Sequence, residues 1–203
     1  RALADLGRHP IEGAARADLE RLAAIARERN LWVFSDEAYE DMIFEGEHVS
    51  IASLPGMYER TIPIYTLSKS YAVTGVRVGY IALQDKKMRA RAAKVALYTA
   101  SNVCSIAQYG AIGALEGPQD CIEEFKTELK IRRDLFYAGL KDVTGGALSG
   151  NPPNGAFYAF VKIDPAWAKS KGLYQGESLS WTVVEHIIKH SRVGCVPGLD
   201  FGP

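Results

Sequence analysis

The sequence predicts an α/β fold, a mixed, mostly parallel sheet covered by helices, followed by a smaller α+β C-terminal domain. Three observations predict it. The amphipathic segment ARADLERLAAIARERN runs directly into the apolar LWVF, which is the helix-then-strand rhythm of a parallel or mixed sheet covered on both faces. Two further apolar runs, TIPIYTL and VRVGYIAL, are joined by about eight residues, too few for a crossover helix, so that pair is expected to be antiparallel. Beyond residue 144 a loop rich in Gly, Ser, Asn and Pro feeds the alternating run from Ala156 to Ile163, the mark of a separate α+β unit.

Each element follows from its local pattern. Leu19, Leu22, Ala23 and Ala26 recur at helical spacing while Arg16, Asp18, Glu20, Arg27 and Glu28 take the other face, so a helix is predicted that ends near Asn30. The next strand is the apolar Leu31–Phe34, stopping at Ser35 and Asp36. Thr61–Leu67 and Val76–Leu83 are the second and third strands. KKMRARAAKVALYTA and CSIAQYGAIGALEG read as helices, with Gly117 and Pro118 closing the second. A long charged amphipathic helix is expected over Gln119–Lys141, and a last one at SLSWTVVEHIIKHS with Trp181, Val184, Ile187 and Ile188 inward. The predicted domains are 1–133 and 134–203. The chain starts before a helix that lacks its strand and stops inside the loop VPGLDFGP, so both ends read as cut.

Composition narrows the function. Twenty-four basic and 24 acidic side chains give a net charge of zero, which leaves no footprint for nucleic acid or an anionic membrane and favours small molecules as partners. No apolar run approaches the ~18 to 20 residues that span a bilayer, and the N-terminus lacks a signal-like apolar segment, so a cytoplasmic protein is expected. Cys104, Cys121 and Cys195 are odd in number and widely spaced, fitting neither a disulfide framework nor a zinc site, and are expected to be buried or half-buried thiols. His186 and His190 are four apart on a helix without an evident third ligand, so no metal is expected.

In an open α/β sheet, ligands gather at the carboxyl ends of the strands. That rule sets Asp36, Thr66, Ser68 and Lys69 on one rim. Thr66 and Ser68 are two apart, so on an extended strand their hydroxyls share a face. With Arg77, whose planar fork matches phosphate, they would make an anion site. Lys69 beside it is then either a Schiff-base nucleophile or one more counter-ion, and an ion pair with Asp36 is the plainer alternative. The plain alternative for Asp36 is the N-cap of a helix over 37–42. Glu37 is expected to face solvent or a neighbouring loop, and Gly155 and Asn154 to serve a turn.

The blocks SDEAY (residues 35–39), TLSKSYAVTGVRVGY (66–80), PPNGAFYAFVKI and VPGLDFG resemble, in this order and over essentially the whole chain, the pyridoxal-phosphate-dependent aminotransferases of the class I/II family, fold type I. The resemblance implies an amino-group transfer from an amino acid to a 2-oxo acid, pyridoxal 5'-phosphate as cofactor and a homodimer. It makes Lys69 the internal-aldimine lysine and the base that moves a proton, Asp36 the partner of the pyridine nitrogen, and Tyr39 the phenol beside the ring oxygen. Thr66, Ser68 and Arg77 become the holders of the phosphate. Thr66 stands where the family usually has Ser or Gly. Family members are about twice as long, and the family's upstream phosphate loop, stacking aromatic and asparagine, with its downstream carboxylate-binding arginine, lie outside these residues. The same lysine, aspartate and arginine also serve carbon–sulfur lyases of this fold and aminotransferase-like ligand-binding domains of regulators, which are the rival readings.

Overall fold

The computed structural model describes residues 16–174 and 178–202. The chain divides into two compact units that meet at Glu128 and Leu129, inside one long helix.

In the first unit, helix α1 (Arg16–Glu28) carries Asp18 in its first turn and Arg27 in its last, each sign placed to complement the helix dipole. Its inner face is built from Ala23, which has no exposed surface, and Ala26. Ile51, Leu54 and Met57 close over these alanines, with Leu19, Leu22, Val33 and Val49 packed around them. The two small side chains let the 51–57 segment lie close, and each large apolar group buried there contributes about 1.5 to 3 kcal/mol. A larger side chain at Ala23 would overpack this core at a cost of about 1 to 3 kcal/mol. The segment is pinned by polar bonds as well. Arg27 Nη1 donates to Pro55 O (2.8 Å), and Arg60 donates to Gly56 O (3.2 Å), Ala26 O (3.2 Å) and Asn30 Oδ1 (3.3 Å).

Strands β1 (Val33–Asp36), β2 (Thr61–Thr66) and β3 (Gly79–Ile81) form one sheet in the order β1-β2-β3. β1 and β2 are parallel, with Val33 opposite Thr61 and Asp36 opposite Ile64. β2 and β3 are antiparallel, as the short link required, with Thr66 opposite Gly79. Two details differ from expectation. Strand β1 begins after Leu31 and Trp32, and its residues alternate, leaving Phe34 62% exposed, so among the described residues β1 is covered on one face. Strand β3 is shorter than the apolar run because the turn Thr74–Val76 precedes it and Arg77 adopts the left-handed region (φ 61°), which an extended strand cannot include.

Helix α2 (Leu67–Ser70) links β2 to the turn before β3, and after the sheet the chain forms α3 (Lys86–Ala100), α4 (Ser105–Glu116) and α5 (Asp120–Thr144). Asp85 caps α3 by accepting from Lys87 N (2.6 Å) and Met88 N (2.9 Å), and Gly117 ends α4. No described helix is long and apolar enough to cross a membrane.

In the second unit, β4 (Leu148–Ser149) pairs antiparallel with β5 (Lys162–Ile163), followed by α6 (Pro165–Ser170) and α7 (Leu179–Ser191). The long strand expected over 156–163 shrinks to its last two residues: Ala156, where it would begin, is left-handed (φ 59°), and only Lys162 and Ile163 pair with β4. Helix α6 was not anticipated, although Asp164 before Pro165 is a capping signal, and Asp164 Oδ1 accepts from Ala166 N (2.8 Å). On α7 the inward residues are Val183 and Val184, whereas Trp181 and Ile188 are each 47% exposed. The helix packs on α6 and on the 198–201 turn, and that contact selects its buried stripe. The cysteine expectation also fails, since Cys104 and Cys195 are exposed and only Cys121 is half-buried.

Candidate active site

Parallel pairing of β1 with β2 puts the carboxyl ends of both strands at one edge of the sheet. The antiparallel β3 enters at that same edge, opposite Thr66. Three chain segments therefore share the rim: Asp36 and the turn after it, the Leu67–Ser70 helix that carries Lys69, and the turn that ends at Arg77.

Lys69 and Tyr39 are brought together. Lys69 Nζ lies 5.8 Å from the centre of the Tyr39 ring, within reach of a cation over a π face. Tyr39 sits three residues after Asp36 in a succession of turns, so the helix that Asp36 might have capped does not form. The Asp36 carboxylate is exposed and accepts from Ala38 N (3.1 Å), which closes a local turn.

Thr66 and Ser68 are also joined, by a different geometry from the extended strand expected. Thr66 ends β2, and its Oγ1 accepts from Ser68 N (3.2 Å) as the cap of α2 and approaches Val78 O (3.4 Å). Ser68 is 8% exposed. Its carbonyl accepts from Thr74 Oγ1 (3.2 Å), and Arg77 Nη1 donates to Thr74 O (3.0 Å). The two turns around Lys69 are thus stitched together through Thr74. Both contain a non-glycine residue in the left-handed region, Ala72 (φ 53°) and Arg77 (φ 61°), at a cost of about 1 to 2 kcal/mol each. Strain of this kind concentrates where a loop must present side chains. Gly79 completes the rim: a Cβ there would lie 2.5 Å from Tyr65 O, so only glycine lets β3 approach.

One cluster escaped sequence reasoning. Glu37 is buried, 5% exposed. Its Oε1 accepts from Ser35 Oγ (2.9 Å) and Ser50 Oγ (2.6 Å), and its Oε2 lies 2.8 Å from His48 Nε2. Of the two surroundings expected for Glu37, the structure selects the neighbouring loop. Burial alone pushes the Glu37 carboxyl up, but the hydrogen bonds from His48, Ser50 and Ser35, with the His48 charge, together bring it below the usual range. His48 is raised, first by its hydrogen bond to Glu37 and then, against burial, by the charges of Glu37, Glu40 and Asp41. Burial and the charge of Asp41 raise Glu40. The available signal was that Ser35 and Glu37 are two apart, on one face of the strand end; nothing local pointed to His48 and Ser50.

The donor set on the rim is a primary amine beside a phenol, an exposed carboxylate, two hydroxyls and an exposed guanidinium. That chemistry suits a flat, phosphorylated aldehyde: the amine can join its carbonyl, the carboxylate can pair with a ring cation, and hydroxyls and guanidinium complement a phosphate.

A family model described as "Aminotransferase class I and II" matches residues 13–202. A probable aspartate aminotransferase of Methanocaldococcus jannaschii is 36% identical over 189 residues, 91% of this chain and 45% of that protein. An arginine–pyruvate transaminase of Pseudomonas aeruginosa is 34% identical over 205 residues, 100% of this chain and 49% of the other. The solved structure of an aromatic aminotransferase from Pyrococcus horikoshii superposes with a TM-score of 0.83 at 35% identity, covering 97% of this chain and 50% of that one. The chain spans about half the length of the curated relatives it matches.

Proposed function

The chain belongs to the class I and II aminotransferase family, and from that premise we propose that it carries the lysine-bearing part of an enzyme that moves an amino group from an amino acid to a 2-oxo acid with pyridoxal 5'-phosphate. The observation that carries this reading is Lys69 Nζ, 5.8 Å from the Tyr39 ring centre, on the rim that also holds Asp36. The cofactor would supply a carbonyl for amine exchange and an electron-poor ring that accepts the electron pair released at the substrate Cα.

This chain's residues have distinct tasks in that reading. Lys69 Nζ would hold the cofactor covalently and, as a free amine, would take up and return the proton of the substrate Cα. Asp36, exposed at the strand end, would keep a proton on the ring nitrogen. Tyr39 would donate a hydrogen bond to the ring oxygen. Thr66, Ser68 and Arg77 would hold the phosphate, Arg77 through a guanidinium matched to its geometry. The domains are read as 1–133, part of a large cofactor-binding domain, and 134–203, part of a small one, supported by the two compact units that meet close by, at Glu128 and Leu129. A cytoplasmic homodimer belongs to the same reading, the dimer supported by α4, whose Ile106 (83%) and Tyr109 (77%) are exposed. Sedimentation of the full-length protein as a monomer would remove the dimer.

The decisive test is covalent. Hydride reduction of the cofactor-loaded full-length protein, followed by peptide mass analysis, is expected to place the label on the peptide containing Lys69, and Lys69→Ala to abolish it. Label on another lysine overturns the assignment. Arg77→Ala is expected to leave labelling possible but to weaken cofactor retention by about 1.5 to 3 kcal/mol, the worth of a charged hydrogen bond. To separate transamination from lyase chemistry, the amine donor alone should convert the cofactor to its amine form.

A further inference from the structure

Glu37 is not on the rim that the proposed function uses, yet it is the most heavily bonded buried charge beside it. Its own N–H donates to Ile64 O (2.9 Å), tying the end of β1 to β2, and its carbonyl accepts from Glu40 N (3.2 Å), starting the turn that holds Tyr39. Its carboxylate meanwhile gathers Ser35 from the strand and His48 and Ser50 from the segment after the turn. Ser50 also accepts from Ala52 N (3.3 Å) and so caps the start of the core segment that packs on α1. One side chain thereby couples three points of the chain to the residue next to Asp36.

We propose that Glu37 and His48 form a charge-paired latch that positions Asp36 and Tyr39 for the cofactor site, an inference that rests on the function proposed above. Glu37 and His48 act through the turn that carries Asp36 and Tyr39, which Glu37 holds by its bonds to Ser35, Ser50 and His48; they are positioning residues. The turn between Asp36 and Met42 carries three carboxylates, Glu37, Glu40 and Asp41, and all three act on His48. The Tyr65 phenol on β2 is raised first by burial and then by the charges of Glu40 and Glu37. A protonated His48 offsets this negative charge. When it loses its proton, the carboxylates repel one another and the turn carrying Tyr39 loosens.

The pH window follows from the directions. His48 stands above its ordinary 6.5, so its stabilisation is complete below 6.5 and is lost as pH rises through the raised value. Glu37 stands below its ordinary 4.5, so its contribution is present above 4.5 and is lost as pH falls through the lowered value. Between those limits the latch is shut.

The test uses the full-length protein, Glu37→Gln and His48→Gln, with two measurements. Amide hydrogen exchange over residues 36–42, made without cofactor, is expected to be about tenfold or more faster in both variants, and in the parent protein the protection of these amides, corrected for the base-catalysed rise of intrinsic exchange, is expected to fall as pH rises through the His48 titration followed by NMR. The dissociation constant of pyridoxal phosphate across the same pH range is expected to weaken with that titration in the parent and to lose the step in both variants. Unchanged exchange in the two variants overturns the latch, whatever the cofactor does. Faster exchange with an unchanged pH profile of pyridoxal phosphate binding overturns its positioning role. If hydride labelling misses Lys69, the proposed function fails by itself, while the exchange measurement still judges the latch. His48→Gln, at a side chain 32% exposed, keeps the test open if Glu37→Gln does not fold.

Discussion

Asp36 and Glu37 are neighbours with the same charge and opposite surroundings. Glu37 is buried and bonded to two hydroxyls and an imidazole, while Asp36 is exposed and bonded only locally, to Ala38 N. Alternation along a strand end is enough to send adjacent side chains to opposite faces. The difference teaches that the charge serving the framework is the one whose partners are already in place, and the charge suited to chemistry is the one the fold leaves turned outward. A buried carboxylate without its partners would be costly; an exposed one can wait for a ligand.

Four substitutions would break or sharpen that contrast. The largest effect is expected from Asp36→Ala, which should slow the amine half-reaction of the full-length enzyme about 100- to 1000-fold, the loss typical of a preorganised electrostatic contact, while its unfolding free energy moves by less than about 0.5 kcal/mol. Equal losses of rate and stability would erase the distinction. Glu37→Leu should do the reverse first, lowering stability in urea titration by about 2 to 3 kcal/mol, because Ser35, Ser50 and His48 lose their shared acceptor. The partial exposure of His48 keeps the figure at the lower end of a broken ion pair.

Gly79→Ala acts on the backbone beneath the exposed side of the rim. Its Cβ would lie 2.5 Å from Tyr65 O, so β3 must retreat from Thr66, at about 1 to 3 kcal/mol, read as a lower melting temperature. Ala72→Gly should have the smallest effect and the opposite sign. Relief of the left-handed strain next to Lys69 is expected to stabilise by up to about 1 kcal/mol, and a melting temperature that falls instead would mean that the Ala72 methyl makes a contact worth more than the strain.

Much of the fold was legible. α3 matches its predicted stretch, Lys86–Ala100, residue for residue, because its N-cap and register are local. The antiparallel pairing of β2 with β3 followed from link length alone. The strand expected over 156–163 was not legible, because alternation shows only that a segment suits a sheet; pairing needs a partner, and the two-residue β4 pairs only with Lys162 and Ile163. The stripe on α7 was legible only in part for a related reason, since periodicity offers several adjacent apolar faces: Val184 is buried as expected, but Val183 is buried beside it while Trp181 and Ile188 stay exposed.

The same division runs through the site. The sequence by itself placed Thr66, Ser68 and Arg77 near Lys69, because they lie within or at the start of one short link between two strands, where the chain has little freedom to separate them; the part of Thr74 in joining them came from the structure. Tertiary structure alone decided what lies across the turn. His48 and Ser50 reach Glu37 over more than ten residues of non-repeating chain, a contact that no period encodes and that forms only once α1, the 51–57 segment and β1 have packed. Burial, too, is a property of that packing: the sequence places two carboxylates side by side, and only the folded chain determines which of them is shielded from water.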